Sequence, residues 1–360
     1  MDLTLANPYL THYQPPPAHS YLYRQWCARG YQPGLHPISP DSELGTCIGQ
    51  MGWVGAHAHT HDYLWASAGN MGVILSEPVD AKCLIPYDEA PRYTLPAAIV
   101  VKELAGRHVL LTKSGSRLDM IGIEHPALNV TVIEVEPDGT HYRMRFGTQP
   151  QAEIGNSTES ENATHSCVPT SEMFHYLLIF EQLEKHGFQA LVHLQPKFLN
   201  LISRTEHGHP DRFYSFLKGY EPETPIIYDA SGGIGFVQER VPGIPELSYE
   251  SLRLFENGSE PMRHILYWIG HGTFSRGTDV LEAYKHAEYF EAVARMAWEA
   301  NQRQVSAEAY SEEIVNCILR EFNASRTTVE NEPVKQSEAA TVLLDLQQED
   351  QTPENLYNYP

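Results

Sequence analysis

Basic residues are scarce in this chain. Lys plus Arg number 25 against 46 Asp plus Glu, a formal net charge of −21. A surface that acidic repels phosphate backbones, so no nucleic-acid partner is expected. A small anionic substrate is still compatible with it, because a pocket can use backbone N–H groups and a local cation. Long apolar runs are missing too, and nothing approaches the roughly 20 residues of a membrane span, so no membrane partner is expected. There is no Cys-X-X-Cys pair. The five cysteines, Cys27, Cys47, Cys83, Cys167 and Cys317, are dispersed. An odd, scattered set reads as reduced thiols in a reducing compartment, here the cytoplasm. The opening residues MDLTLANPYLTHYQPPP have neither a basic start nor an apolar core, so no signal peptide is expected. The Asn-X-Ser/Thr triplets at Asn129, Asn156, Asn162, Asn257 and Asn323 are then read as chance.

What is present is ordinary globular composition, 42% hydrophobic over 360 residues, enough to bury a sizeable core without staples. Residues 1–45 are rich in Pro and Tyr and read as an arm followed by a first helix. Residues 46–150 read as strand-like, with short apolar runs in MGVILSEP, AAIVVKEL and HVLLTKSG. NVTVIEVEPDGTHYRMRF reads as a hairpin turning at Pro137-Asp138-Gly139. Residues 151–167 are polar and read as a surface loop. VPTSEMFHYLLIFEQLEKHG has helix start and stop signals, Thr170 and Ser171 in front and Gly187 behind. FQALVHL alternates as a strand, and KFLNLISR opens a helix after Pro196. TPIIYDASGGIGFVQERVPG reads as two short strands around a glycine turn, and RHILYWIG as a strand stopping at Gly270-His271-Gly272. Residues 278–302 carry the stripe of a long amphipathic helix. The expected organisation is an arm (1–45), a layered α/β domain (46–322) and an acidic tail (323–360).

One constellation carries chemistry. Residues i and i+2 of a strand share a face, so His193 and Gln195 project together from a strand end. Glu172 begins the helix leading into that strand, and His271 sits between two glycines at another strand end. A metal that must also bind substrate needs about three protein ligands and an open position. On spacing alone, a structural, hydrogen-bonded histidine is the competing reading at each place.

Six stretches, in order, resemble the class II aldolase/adducin family, and within it the rhamnulose-1-phosphate aldolases. They are SAGNMGVIL, LLTKSGS, VPTSEMFHYLLIFEQL, ALVHLQPKFLNLI, the segment from Gly219 to Leu247, and ILYWIGHGTFSRGTDVLEAYKHAEYFEAVARMAW. The resemblance spans roughly residues 45–300. It implies a three-layer α/β/α domain with a central, mostly antiparallel sheet. The implied reaction is metal-dependent aldol cleavage of a ketose 1-phosphate to dihydroxyacetone phosphate and an aldehyde. It implies a divalent metal, zinc by preference, at His193 and His271. Glu172 would touch the metal or shuttle the substrate proton, and Glu223 would act near the aldehyde half. Gly69, Asn70, Ser114, Gly115, Thr170 and Ser171 would hold the substrate phosphate. The implied partners are a small phosphorylated sugar and other copies of the chain, as a homotetramer.

The sequence departs from the family pattern at the second histidine of His-X-His, which is Gln195, a poorer zinc ligand than imidazole. The Asn-Gly-Gly-Asn loop has become Ser67-Ala68-Gly69-Asn70, and the spacing before Val241-Pro242-Gly243 is stretched. The alternatives are an adducin-like assembly module without the metal site, or a dehydratase, epimerase or decarboxylase using the same metal logic. A separate run, GAHAHTHD, alternates His57, His59 and His61 just before the first phosphate loop. If extended, all three face one side. We read them as a polar insertion at the surface or a subunit contact. Contact with the phosphate and replacement of the missing imidazole are the other readings.

Overall fold

The computed structural model describes residues 17–18, 20–28, 38–97, 99–147, 169–238, 244–256, 263–303 and 311–328. In chain order the helices and strands are α1 (Tyr21–Ala28), α2 (Glu43–Thr60), β1 (Asn70–Ile74), β2 (Arg92–Thr94), β3 (His108–Thr112), β4 (Val130–Val135), β5 (His141–Phe146), α3 (Met173–Leu183), β6 (Ala190–Leu194), α4 (Lys197–Ser203), α5 (Pro210–Leu217), α6 (Thr224–Ala230), β7 (Ile234–Val237), α7 (Pro245–Glu256), β8 (Ile265–Trp268), β9 (Gly272–Gly277), α8 (Val280–Gln302) and α9 (Glu312–Thr328). The strands form one nine-stranded sheet in the order β2-β5-β4-β3-β1-β6-β9-β8-β7. Every pairing is antiparallel except β7 with β8. The three-layer, mostly antiparallel expectation therefore holds.

Strand alternation builds two cores. Met71 and Val73 of β1 and Ala190, Val192 and Leu194 of β6 face α2, α4, α5 and α8. Ile74 and Leu191 face the opposite way, against α3 and α7 with Leu266, Trp268 and Phe274. His193 follows Leu191 by two, so it faces the α3 side, where its ring lies 5.2 Å from Trp268 and 5.9 Å from Phe274.

Several expectations need correction. Residues 46–60 are not strand-like; they belong to α2, capped by Ser42, whose side chain accepts the Gly45 N–H. Its glycines hide the helix, since each costs about 1 kcal/mol against Ala in a helix interior. They are there for close packing: a Cβ on Gly55 would lie 2.1 Å from the Leu118 carbonyl oxygen. The three histidines consequently do not all share a face: His57 and His61, one turn apart, bring their rings to 4.4 Å of each other, and His59 lies on another side. His57 Nδ1 meets the Tyr284 hydroxyl at 2.8 Å on α8, while His59 points toward Asp119, 3.9 Å away. TPIIYDA is helix α6 rather than a strand, with Pro225 in the first turn where proline is tolerated. AAIVVKEL contains no strand; Ile99, Val101 and Leu104 are core-filling residues of an irregular segment. β9 was not foreseen, because Thr273, Ser275 and Arg276 are polar residues that read as loop, yet all three are buried. The helix α9 continues to Thr328, past the expected start of the tail; residues 329–360, the 151–167 loop and Val241-Pro242-Gly243 lie outside the described residues.

Other expectations stand. The hairpin around Pro137-Asp138-Gly139 joins β4 to β5. Cys27, Cys47, Cys83 and Cys317 form no disulfide with one another. Asn129 is fully buried and donates to Glu124, which leaves no room for a glycan. No described helix is long and apolar enough to cross a membrane.

A buried carboxylate ties α8 to the functional strand. Glu291 is 1% exposed, and its two oxygens accept the N–H groups of Phe198 at 2.7 Å and Leu199 at 2.9 Å. Those are the orphan donors at the start of α4, directly after β6. Glu291→Gln replaces one acceptor by a donor facing an N–H. It is expected to lower the unfolding free energy by about 1–3 kcal/mol, read by urea denaturation; an unchanged midpoint would show that the cap carries no weight.

Candidate metal centre

Three elements deliver side chains to one end of the sheet. β6 ends at Leu194 and presents His193 just before its end. β8 and β9 form a hairpin whose turn, residues 269–271, carries His271. Gly270 supplies the turn's positive φ of +73°. Gly272 allows close approach, since a Cβ there would lie 2.1 Å from the Leu194 carbonyl oxygen. Glu172 is the N-cap residue of α3. His193 Nε2 lies 3.8 Å from one Glu172 oxygen, and His271 Nε2 lies 3.8 Å from the other. The two imidazole rings are 4.8 Å apart and nearly perpendicular.

The surroundings set the state of each group. His193 Nδ1 donates to the Thr273 carbonyl at 2.8 Å. That contact aims Nε2 toward Glu172 and His271. That Nε2 is buried with no hydrogen-bond partner. Burial, reinforced by His193, pushes His271 down to about 4, so it is neutral at ordinary pH. Burial of Glu172 works toward a higher pKa. His193 and the hydrogen bond from Asn70 outweigh it and hold the carboxyl below its usual range. An orphaned imidazole nitrogen, a second neutral imidazole and an ionised carboxylate suit a borderline divalent cation. Their ligand atoms lie within 4.8 Å of one another.

The expected phosphate residues collect beside this cluster. Asn70 opens β1 opposite His193 in the sheet register. Its amide donates to Glu172 at 2.9 Å and accepts the Tyr176 hydroxyl at 2.6 Å. Met71 N–H donates to Thr112 Oγ1, and Thr170 N–H donates to the Thr112 carbonyl, so the ends of β1 and β3 and the start of α3 adjoin. Ser114 and Gly115 follow Thr112 after Lys113, and nothing lies within 4 Å of where a Gly115 Cβ would be. Thr170 Oγ1 accepts the Glu172 N–H at 3.3 Å, and Ser171 is exposed. Gly69 lies against the His193 carbonyl. Gln195 is half-buried just beyond β6, and its backbone carbonyl accepts the indole N–H of Trp65 at 3.1 Å. Glu223 stands apart: it is exposed ahead of α6, where its charge is felt by Tyr289 of α8. His57, His59 and His61 do not belong to the cluster.

Residues that were not anticipated complete the frame. Tyr176 lies one helical turn beyond Glu172, and that i, i+4 spacing was a readable signal. The Thr273 carbonyl and the fully buried His175, paired with the Ser248 hydroxyl, are tertiary contacts with no local signal.

A family model described as the class II aldolase and adducin N-terminal domain matches residues 54–298. The rhamnulose-1-phosphate aldolase of Salmonella paratyphi B is 25% identical over 220 residues, 61% of this chain and 72% of that protein. The enzyme of the same name from Klebsiella pneumoniae is 25% identical over 221 residues, 61% of this chain and 71% of that protein. A solved sugar-phosphate aldolase from Thermotoga maritima matches with a TM-score of 0.55 at 22% identity, covering 72% of this chain and 97% of that one, a likeness of fold.

Proposed function

The chain belongs to the class II aldolase and adducin family, and from that premise we propose that it cleaves a ketose 1-phosphate reversibly to dihydroxyacetone phosphate and an aldehyde, acting as a homotetramer in the cytoplasm. The observation that carries the reading is the convergence of Glu172, His193 and His271 beside three adjoining loops. Those three residues would hold a divalent cation, zinc by preference, with Gln195 as a further candidate ligand. When bound, the cation supplies Lewis acidity toward the substrate's carbonyl and hydroxyl oxygens.

The chain's own residues do the rest. Gly69, Asn70, Ser114, Gly115, Thr170 and Ser171 bind the phosphate through hydroxyls and backbone N–H groups, so binding remote from the reacting carbon orients it. The Asn70 amide is already committed to Glu172 and Tyr176, and its side chain positions the carboxylate. Glu172, ionised and at a helix N-terminus, accepts the substrate proton and returns it. Glu223 acts near the aldehyde half only if it reaches the centre of another copy, since it is not at the centre of its own chain. The test is release of dihydroxyacetone phosphate from ketose 1-phosphates by protein supplied with Zn²⁺, Mn²⁺ or Co²⁺. Metal-dependent release is expected; failure on sugar phosphates of every length ends the reading.

Gln195 favours a second reading, a non-catalytic assembly module. Bound metal separates the two: a stoichiometric divalent ion supports catalysis, and a folded protein without one supports the module. Gln195→His is expected to tighten metal binding by about 10-fold or more, measured by chelator competition; no gain would mean that position does not face the ion.

A further inference from the structure

We propose that His264, Glu282 and His286 form a second divalent-cation site, suited to a zinc-class ion, that clips the start of β8 to α8. A ring nitrogen from each histidine and a carboxylate oxygen of Glu282 lie within 4.8 Å of one another. Glu282 and His286 are four apart on α8 and so share a face; His264 immediately precedes β8. The site is a strand's length from His271, about 15 Å at the usual rise per residue. It is therefore not part of the centre described above, and it does not rest on the aldolase reading.

The surroundings are built like a ligand shell. His264 Nδ1 and His286 Nε2 are both buried with no hydrogen-bond partner. Two orphaned imidazole nitrogens in one cluster are costly unless something accepts their lone pairs or protons. The other polar atoms are held. Ser231 Oγ meets His286 Nδ1 at 3.2 Å, and the Ser231 carbonyl accepts the backbone N–H of His264 at 2.9 Å, which fixes that residue just ahead of β8. One Glu282 oxygen takes both the N–H and the hydroxyl of Thr278 at 2.6 Å, which leaves the other for an ion. Partners on the far side of a ligand, as His286 and Glu282 have here, are what orient metal-binding side chains. Two nitrogens and one oxygen with a fourth position open suit Zn²⁺ better than Mg²⁺ or Ca²⁺, which prefer all-oxygen shells.

Arg276 and Lys285 face the same cluster. Burial, and after it these charges, keep both imidazoles below their ordinary value. The same positive charges oppose a cation, so this site should bind more weakly than the one at Glu172. The remaining group of ligand-type residues among those described, Glu136, Asp138 and His141, contrasts with it. Arg92 and Arg143 already hold Glu136, and Asp138 pairs with His141.

The test uses the full chain, stripped with a chelator, carrying His193→Ala and His271→Ala so that the first centre is disabled. Titration with Co²⁺ followed by its visible absorption should show one equivalent in a tetrahedral environment. Zn²⁺ should displace that Co²⁺ and raise the melting temperature. Glu282→Gln, which keeps both imidazoles and the Thr278 contacts, should weaken binding at least about 10-fold, as should His286→Gln. Circular dichroism checks each fold; if His286→Gln fails to fold, Glu282→Gln decides. Absence of a Co²⁺ equivalent overturns the site, as does equal binding by Glu282→Gln. Because cleavage is never read, failure of the aldolase reading leaves this outcome distinguishable.

Discussion

Glu172→Gln should lower kcat/KM for sugar-phosphate cleavage by about 10²–10⁴-fold, the range for loss of a positioned general base, while leaving the fold in place. The replacement is nearly isosteric, and its carbonyl oxygen can still accept the Asn70 amide that Glu172 accepts at 2.9 Å. Tyr176 keeps its bond to Asn70, so the frame survives. What is lost is a carboxylate that stays ionised despite its burial. An amide cannot take a proton from carbon or return it. Exchange of carbon-bound hydrogen in dihydroxyacetone phosphate with deuterated water, followed by NMR, isolates that step from aldehyde binding. Metal content measured alongside separates loss of the base from loss of the ion. Exchange at the wild-type rate in a metal-loaded variant would remove Glu172 from the chemistry.

Acidification should cost this protein several kcal/mol of stability between pH 6.5 and 4. Burial pushes His125 and His175 down to about 4 from the ordinary 6.5. A group whose folded-state pKa lies below its unfolded value contributes stability above the unfolded value. That contribution is lost as pH falls through the folded one. Each imidazole is then worth on the order of 3 kcal/mol across the window. The contacts explain the direction: His125 Nδ1 accepts the Ala127 N–H at 3.2 Å, a role only the unprotonated nitrogen can fill. His175 is enclosed by Trp268 and Phe274. Glu291 works the other way, since burial pushes it up to about 7 and its contribution falls as pH rises through that value. One such carboxylate offsets about one of the histidines, so a net loss on acidification remains. Urea unfolding at a series of pH values reads the slope, and His125→Asn, whose amide oxygen can keep the Ala127 contact, should flatten it. A wild-type slope near zero between pH 6.5 and 4.5 would contradict the account.

Local pattern was enough for β3, β6, the β4–β5 hairpin, α3 and α8, whose apolar runs and periods are written in the chain. It also put Glu172, His193 and His271 at element ends, where side chains are free to meet. Local pattern failed where packing overrode propensity. The glycines of α2 look like helix breakers until Leu118 is seen pressed against Gly55. The spacing of His57, His59 and His61 fits a strand face only if the chain is extended there. Position in three dimensions decided the chemistry. Only the register of β6 with β9 aims His193 Nδ1 at Thr273, which turns Nε2 toward the carboxylate. Only the docking of α8 on the start of β8 brings His264 to His286. Both are contacts between residues far apart in the chain, and periodicity carries no information about which distant faces will touch.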